Sequence, residues 1–186
     1  FAKSQINHAS FMAARAGSMG NANIDTVRTE YAKALIPLYG GGTNAAELAE
    51  SRGKALAAVG ASQIELLNPT AESFQDFNDA RLQAKYNTGS KRVIPNASLA
   101  FKPTTIGGSS GQTIQDANLI KLRIIHSYEP RIPLARTIFS AYLKAADPHD
   151  NPVYTAMVQQ GRIPVVTNVT LHMQSDAIEG TPISAP

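Results

Sequence analysis

Residues able to do chemistry are thinly spread along this chain. Its histidines are His8, His126, His149 and His172, and it has no cysteine. That absence excludes disulfides, cysteine-ligated zinc or iron–sulfur centres and a thiol nucleophile. A serine hydrolase of the nucleophile-elbow type needs a Gly-x-Ser-x-Gly pattern, which does not occur. His126 occupies an inward position of an alternating segment, where a core histidine with a hydrogen-bond partner is expected, and a hydrolase built on it would need a nucleophile folded against it. His172 falls on the polar side of its own segment. Asp147, His149 and Asp150 could contribute to a divalent-ion site, but such a site needs three or more ligands in fixed geometry. Crowded by Pro148 and Pro152, these three residues read as a solvated turn. Glu47 with Glu50, and Asp76 with Asp79, read as solvated helix positions rather than an acid–base pair at glycosidase spacing. Gly40-Gly41-Gly42 lacks both the preceding strand and the Gly-Lys-Ser/Thr of a phosphate loop, so it reads as a connection between helices. No catalytic residue, metal or cofactor is expected.

The elements that would position these groups fall into two stretches. In the first, Ala2, Ile6, Ala9, Ala13, Ala16 and Gly20 recur at spacings of four and three, a small-residue stripe on one helix face. Phe11, Met12 and Met19 flank it. Such a stripe lets a neighbouring backbone approach closely, as between helices in bilayers and fibres; packing on the chain's own sheet is the alternative. A second helix is predicted over Ile24–Ile36, capped by Asn23, with Val27, Tyr31, Ala34 and Leu38 on one face and Pro37 ending it. Asn44 with Glu47 predicts a capping box that opens a third helix. Its apolar side is Leu48, Ala49, Ala55, Leu56 and Val59, and Gly60 is its left-handed stop.

Beyond Gly60 the period changes. Gln63–Leu67 is predicted as a strand ended by Asn68-Pro69, Ala71–Ala80 as a helical turn or two, and Val93-Ile94 as a short edge strand. Ser98–Thr105 and Gln112–Ser127 are expected to pair as a long hairpin with its tip at Gly107–Gly111. Alternation in Ile120–Tyr128 and in Ile163–Gln174 predicts half-buried antiparallel strands. Between them a helix runs from Pro133 to about Ala146, and it is apolar around so much of its circumference that it must be buried on two sides or lean on a partner. The tail from Gly180 is expected to fray.

Composition bounds the remainder. The chain has 186 residues, 43% of them apolar, and a net charge of +3. This suits a folded domain, and a surplus of three charges is a poor basis for nucleic-acid binding. Lys91-Arg92, Lys121 with Arg123, and Arg131 with Arg136 are scattered pairs without interleaved aromatics. No window reaches the ~18 apolar residues of a membrane span. The first residue is Phe1, which leads to the expectation of a removed leader or of a longer parent protein. Asn96-Ala97-Ser98 and Asn168-Val169-Thr170 match the glycosylation triplet, a pattern frequent by chance.

The order of segments resembles TadE-like proteins, minor pilins or pseudopilins of the tight-adherence (Flp, type IVc) pilus. The likeness is carried by Phe11–Gly17, Leu38–Thr43, Leu67–Thr70 with Glu72-Ser73-Phe74, Val93–Asn96 and Ile114–Ile124. Tyr128, Ile132-Pro133-Leu134, Ile163–Val166 and Met173-Gln174-Ser175 complete it. The resemblance implies a hydrophobic N-terminal helix, processed by a prepilin peptidase and anchored in the inner membrane, with the exported remainder facing the periplasm. The processing site and apolar anchor are missing from this chain, as is the cysteine pair common in relatives.

Together these readings predict an α+β fold, pilin-like, with a long N-terminal helix and further helices on a small antiparallel sheet. Residues 1–20 would be the lower part of the pilin helix, 21–179 the globular domain and 180–186 the tail. The expected function is structural and non-catalytic, in pilus assembly, initiation or adhesion, in the inner membrane with a periplasmic domain or outside the cell in the pilus. Partners would be other pilin or minor pilin subunits and the inner-membrane assembly platform, with the membrane reached through a missing N-terminal segment. Neither nucleic acid nor a small-molecule substrate is expected. Lateral packing would run through Ala2, Ile6, Ala9, Phe11, Met12, Ala13, Ala16 and Gly20. Exchanging Ala13 and Ala16 for Leu would then block incorporation and leave the domain's unfolding nearly unchanged. The alternative is a free-standing periplasmic or cell-surface binding module with its ligand near Gly107–Gly111.

Overall fold

The computed structural model describes residues 1–130 and 133–180, the side chains of residues 133–137 excepted. The fold is α+β. Its helices are α1 (Ala2–Met19), α2 (Ile24–Leu35), α3 (Ala45–Gly60), α4 (Ala71–Phe77), α5 (Ala80–Tyr86), α6 (Ile114–Ala117), α7 (Pro133–Ala146) and α8 (Pro152–Gln159). Its strands are β1 (Gln63–Asn68), β2 (Val93–Ile94), β3 (Leu119–Tyr128), β4 (Ile163–His172) and β5 (Ala177–Ile178). One sheet has the order β1-β3-β4, and β2 pairs antiparallel with β5 in a second. Expectations placed on Arg131, Ile132, residues 181–186 and the side chains of Leu134 and Arg136 lie outside what is described.

Contacts divide the chain into two compact units. The first comprises Phe1–Ser10, Tyr31–Glu65 and Arg123–Asn168; the second comprises Phe11–Glu30, Leu66–Leu122 and the described part of Val169–Pro186. The core of the first includes Ile6, Tyr31, Leu35, Ile124, Ile125 and Val158, and that of the second Val27, Val93, Ile94, Ala117, Ile120 and Leu122.

Within the first unit the Asn44 cap and the Pro37 break act as the sequence implies, with the Glu47 carboxylate reaching back to Thr43, one residue before the cap. Asn44 accepts from the Glu47 amide at 3.0 Å, and the Glu47 carboxylate takes the Thr43 amide at 2.8 Å and its hydroxyl at 2.9 Å. Because these donors favour the ionised form, the Glu47 carboxyl lies below its ordinary range. The Ile36–Tyr39 stretch, which contains Pro37, tightens into a 3-10 turn, and Gly40 closes it at φ 114°. Gly40 and Gly41 both take the left-handed backbone that glycine adopts without strain.

The inner face of α3 is rotated from the one expected. Ser51, Ala55 and Ala58 are buried there, whereas Leu48, Ala49 and Leu56 are exposed. Ser51 belongs inside because its hydroxyl lies against the carbonyls of Gly41 and Tyr39, at 2.5 and 3.3 Å. Gly60 remains helical and Ala61 caps at φ −92°, so no left-handed stop forms. Later in the unit the chain leaves the helix over Asp147–Asn151, where a turn was expected, and Asn151 then accepts from the amides of Val153 and Tyr154, both at 3.0 Å, opening α8, which was not expected.

In the second unit Asn23 caps α2, accepting from the amides of Asp25 at 2.8 Å and Thr26 at 3.1 Å. The expected long hairpin is absent. Leu99–Phe101 is a 3-10 turn and Ile114–Ala117 a helical turn. The reason is local: Thr113 and Asp116 exchange side-chain and backbone hydrogen bonds in a capping box, turning the chain just before β3. Asp79, read as a solvated carboxylate, instead caps α5 by accepting from the amides of Arg81 and Leu82. The β2–β5 pair matches Val93 with Ile178 and Ile94 with Ala177. An Arg92–Glu179 fork, at 3.0 and 2.9 Å, closes its end.

Candidate functional site

Helix α1 is a helix of small residues turned inward. Ile6, Ala9 and Ala13 of the expected stripe are wholly buried, as are Ser10 and Ala14 beside them. Ala2, Met12, Ala16 and Gly20 are half-buried, and Phe11 is exposed. The absence of a Cβ at Gly17 is what allows close packing there. A methyl at that position would stand 2.7 Å from both Ile120 Cδ1 and Val27 Cγ2. The stripe therefore packs against this chain's own core, the alternative considered for it above. The two-leucine exchange has a different outcome as a result. At Ala13 a leucine would overpack a filled interior, and A13L is expected to cost about 1–3 kcal/mol of stability in a denaturant titration. A16L should cost less, because Ala16 is partly exposed.

The outward face of α1 has another character. It carries Lys3, His8, Phe11, Arg15 and Met19, with Met12 at its margin, and the helix contains no carboxylate. Helix α7 likewise turns large apolar side chains outward: Ile138, Phe139 and Tyr142 are 61%, 52% and 68% exposed. A third apolar exposure is the turn and loop bearing Phe101 and Ile106, at 91% and 67%.

The candidate groups for chemistry are enclosed by partners. His126 is fully buried on β3. Its Nδ1 lies 3.0 Å from the Tyr31 hydroxyl and 3.3 Å from the Ser62 hydroxyl, and its Nε2 lies 3.4 Å from the Tyr39 hydroxyl. Burial lowers the imidazole pKa to about 4 and raises that of the Tyr31 phenol, so both groups are neutral at ordinary pH. Ser62 thus supplies the neighbouring hydroxyl that a hydrolase would need. Its hydrogen, however, is directed to the Ala58 carbonyl at 2.7 Å, and its oxygen accepts from the Ser127 amide at 3.1 Å. A hydroxyl so engaged offers His126 a lone pair and no proton. The arrangement is a packed polar core.

Asp147 accepts from the His149 amide at 3.1 Å, and its other oxygen lies 4.0 Å from His149 Nε2. Among the described residues no group of three or more His, Cys, Asp or Glu could hold a metal ion. Asp76 does more than its sequence context indicated. Its carboxylate accepts from the amides of Ser109 and Ser110 and from the Ser110 hydroxyl, at 2.7–3.1 Å, which fixes the Gly107–Gly111 loop. These donors hold its carboxyl below the ordinary range.

What sequence reasoning missed is an amide network in the second unit. Asn118 is fully buried. Its Nδ2 donates to the carbonyls of Pro95 at 3.2 Å and Ile114 at 2.9 Å, and its Oδ1 accepts from Asn96 Nδ2 at 3.1 Å. Asn96 also donates to the Met173 carbonyl at 2.9 Å, and its backbone amide meets Asp176 Oδ1 at 2.7 Å. Nearby, Asn68 donates to the carbonyls of Asp116 and Leu119 and accepts from Gln112, whose amide oxygen receives the Ser73 hydroxyl. Asn68, Ser73, Pro95, Asn96, Ile114, Asp116, Asn118, Leu119 and Met173 are joined through these bonds. Asparagines flanked by apolar residues were the available signal, and their long-range partners were not.

Among the described residues no helix is long and apolar enough to cross a membrane. Compared with known proteins, the chain matches no family model, and neither a curated protein nor a solved structure proves similar to it.

Proposed function

We propose that this chain is a structural, non-catalytic subunit of a tight-adherence, type IV-like bacterial pilus. It is membrane-tethered, holds its α+β fold on the periplasmic or outer side, and acts in assembly, initiation or adhesion. Its partners are other pilin or minor pilin subunits and the inner-membrane assembly platform. One observation carries the reading: the outward face of α1 is apolar and basic, with Phe11 and Met19 exposed in a helix that lacks any carboxylate. A neighbouring subunit that covers this face gains apolar burial there, and an acidic partner surface or anionic headgroups would complement Lys3 and Arg15. Ile6, Ala9 and Ala13 secure the helix to its own domain, which leaves Phe11 and Met12, beside the half-buried Ala16 and Gly20, for the neighbour. The polar clusters around His126 and Asn118 close on themselves, as suits a scaffold.

In the full-length protein in its host, F11S/M19S is expected to lower the protein's incorporation into pili. Full burial of such a side chain is worth about 1.5–3 kcal/mol, and with Phe11 46% and Met19 54% exposed about half of that is left for a partner to gain, so losing both weakens association on the order of tenfold to a hundredfold. Thermal unfolding of the protein should shift only modestly, because about half of each side chain is already exposed. Normal incorporation of this variant would refute the proposal. The binding-module alternative is favoured by Phe101 and Ile106, and it predicts that F101S/I106S alone abolishes ligand or surface attachment.

A further inference from the structure

Strand β4 ends its sheet: among the described residues it pairs with β3 on one side and with no strand on the other. A terminal strand presents unpaired amides and carbonyls that template further pairing. Proteins commonly blunt such edges with charge, proline, bulges or shortness. Here the ten residues Ile163–His172, IPVVTNVTLH, contain no Lys, Arg, Asp or Glu, and the single proline, Pro164, stands at one end. The apolar row is also incompletely covered. Ile163, Val165, Thr167, Val169 and Leu171 are each only half-buried, while Val166, Asn168, Thr170 and His172 are exposed.

We infer that β4 is a self-pairing edge, joining antiparallel to β4 of a second copy of this chain about a twofold axis at Thr167. The row itself selects this occupant because it is nearly symmetric about its middle. Antiparallel pairing centred on Thr167 sets Ile163 opposite Leu171 of the copy, Val165 opposite Val169, and Thr167 opposite Thr167. Cross-strand matches of β-branched residues are favourable; the Thr167 hydroxyl itself donates to Asn7 Oδ1 at 3.1 Å, so Thr167 meets its copy through its methyl group. Centring between residues would oppose the half-buried row to the exposed row, since side chains alternate faces with period two. Centring one residue away leaves a member of the apolar row without an opposite. The chosen register also faces no charge with a like charge, and it places Pro164, which lacks an amide donor, near the end of the ladder. This inference is independent of the pilus reading, which rests on α1.

The register dictates the test. It sets residue 166 of one copy opposite residue 168 of the other, and both positions are exposed. The parent chain is expected to show concentration-dependent formation of a species of twice the 19.8 kDa of one chain in sedimentation velocity. V166K/N168K opposes lysine to lysine twice per pair and should remain at one-chain mass, as should V166E/N168E alone. Mixing the two variants should restore the two-chain species as a heterodimer, a rescue that misfolding cannot produce. A parent that keeps one-chain mass at every concentration overturns the inference, as does a lysine variant that pairs like the parent. A mixture that fails to pair while both variants keep the parent's circular dichroism also overturns it. None of these outcomes bears on piliation by F11S/M19S.

Discussion

Replacing Asn118 with alanine is expected to lower the free energy of unfolding by about 3 kcal/mol, and replacing it with the isosteric aspartate should cost more. The buried amide donates to two carbonyls, and only one of them keeps another donor. The Ile114 carbonyl also receives the Asn118 backbone amide at 3.2 Å. Among the described residues the Pro95 carbonyl receives no other donor, so alanine leaves it stranded in the interior. Stranding a buried polar group costs about 1–3 kcal/mol, to which the void left by the amide adds. Aspartate preserves the volume but turns an oxygen toward those same carbonyls. It must then either bury a charge or take up a proton to be tolerated. Urea unfolding followed by circular dichroism would measure both variants. If Asn118 only filled space, N118D would match the parent and N118A would be the worse of the two; that order would refute the account. A loss of ~3 kcal/mol is a large part of the 5–15 kcal/mol typical of a whole domain.

The contrast between what was legible in the sequence and what was not follows the range of the physics involved. Local signals were legible: the Asn23 and Asn44 caps, the Pro37 break and the alternation in β3 and β4 each act within a few residues. Misreadings arose where one residue served two local patterns. Thr113-Ile114-Gln115-Asp116 fits an extended strand by its neighbours, yet its Thr and Asp at a spacing of three form a capping box, and the helical turn prevailed. On α3, a serine inside and two leucines outside invert the usual hydropathy rule, because Ser51 reaches backbone carbonyls delivered by the Gly40-Gly41 turn. Asp76 and Asn118 were opaque for the opposite reason. Their partners lie 33 or more residues away in the case of Asp76, and up to 23 away for the side chain of Asn118. Hydropathy periodicity carries no record of such pairings. The α1 stripe was visible as a stripe, but small residues permit close approach by any backbone, and only the fold reveals that Ile6, Ala9 and Ala13 are buried in the chain itself and that Gly17 beside them meets Val27 and Ile120.

His126 should make the protein acid-sensitive in a window where ordinary carboxylates do not titrate. Its folded pKa is about 4, against an ordinary histidine value of 6.5, and the cause is burial. The unfolded chain therefore binds a proton that the folded chain refuses between those two values, and stability falls as pH falls through that range. The contribution is fully present above about pH 7. About 2 kcal/mol should be lost on going from pH 7 to pH 5, and about 3 kcal/mol by pH 4, at 1.36 kcal/mol per unit. The carboxyls of Glu47, Glu72, Asp76 and Asp116 are held below their ordinary values and lose stability with the same sign, but only as the pH approaches those values of 4.5 and 3.8. The interval from pH 7 to pH 5 thus separates the imidazole from these carboxyls. H126N, whose amide can meet the Tyr31 hydroxyl as donor or acceptor, should be less stable than the parent at pH 7 through lost packing. It should also show a nearly flat stability between pH 7 and pH 5, where the parent declines. Equal slopes in the two proteins would mean that the ring is hydrated and free to take up a proton, which the hydroxyls of Tyr31 and Ser62 packed around Nδ1 argue against.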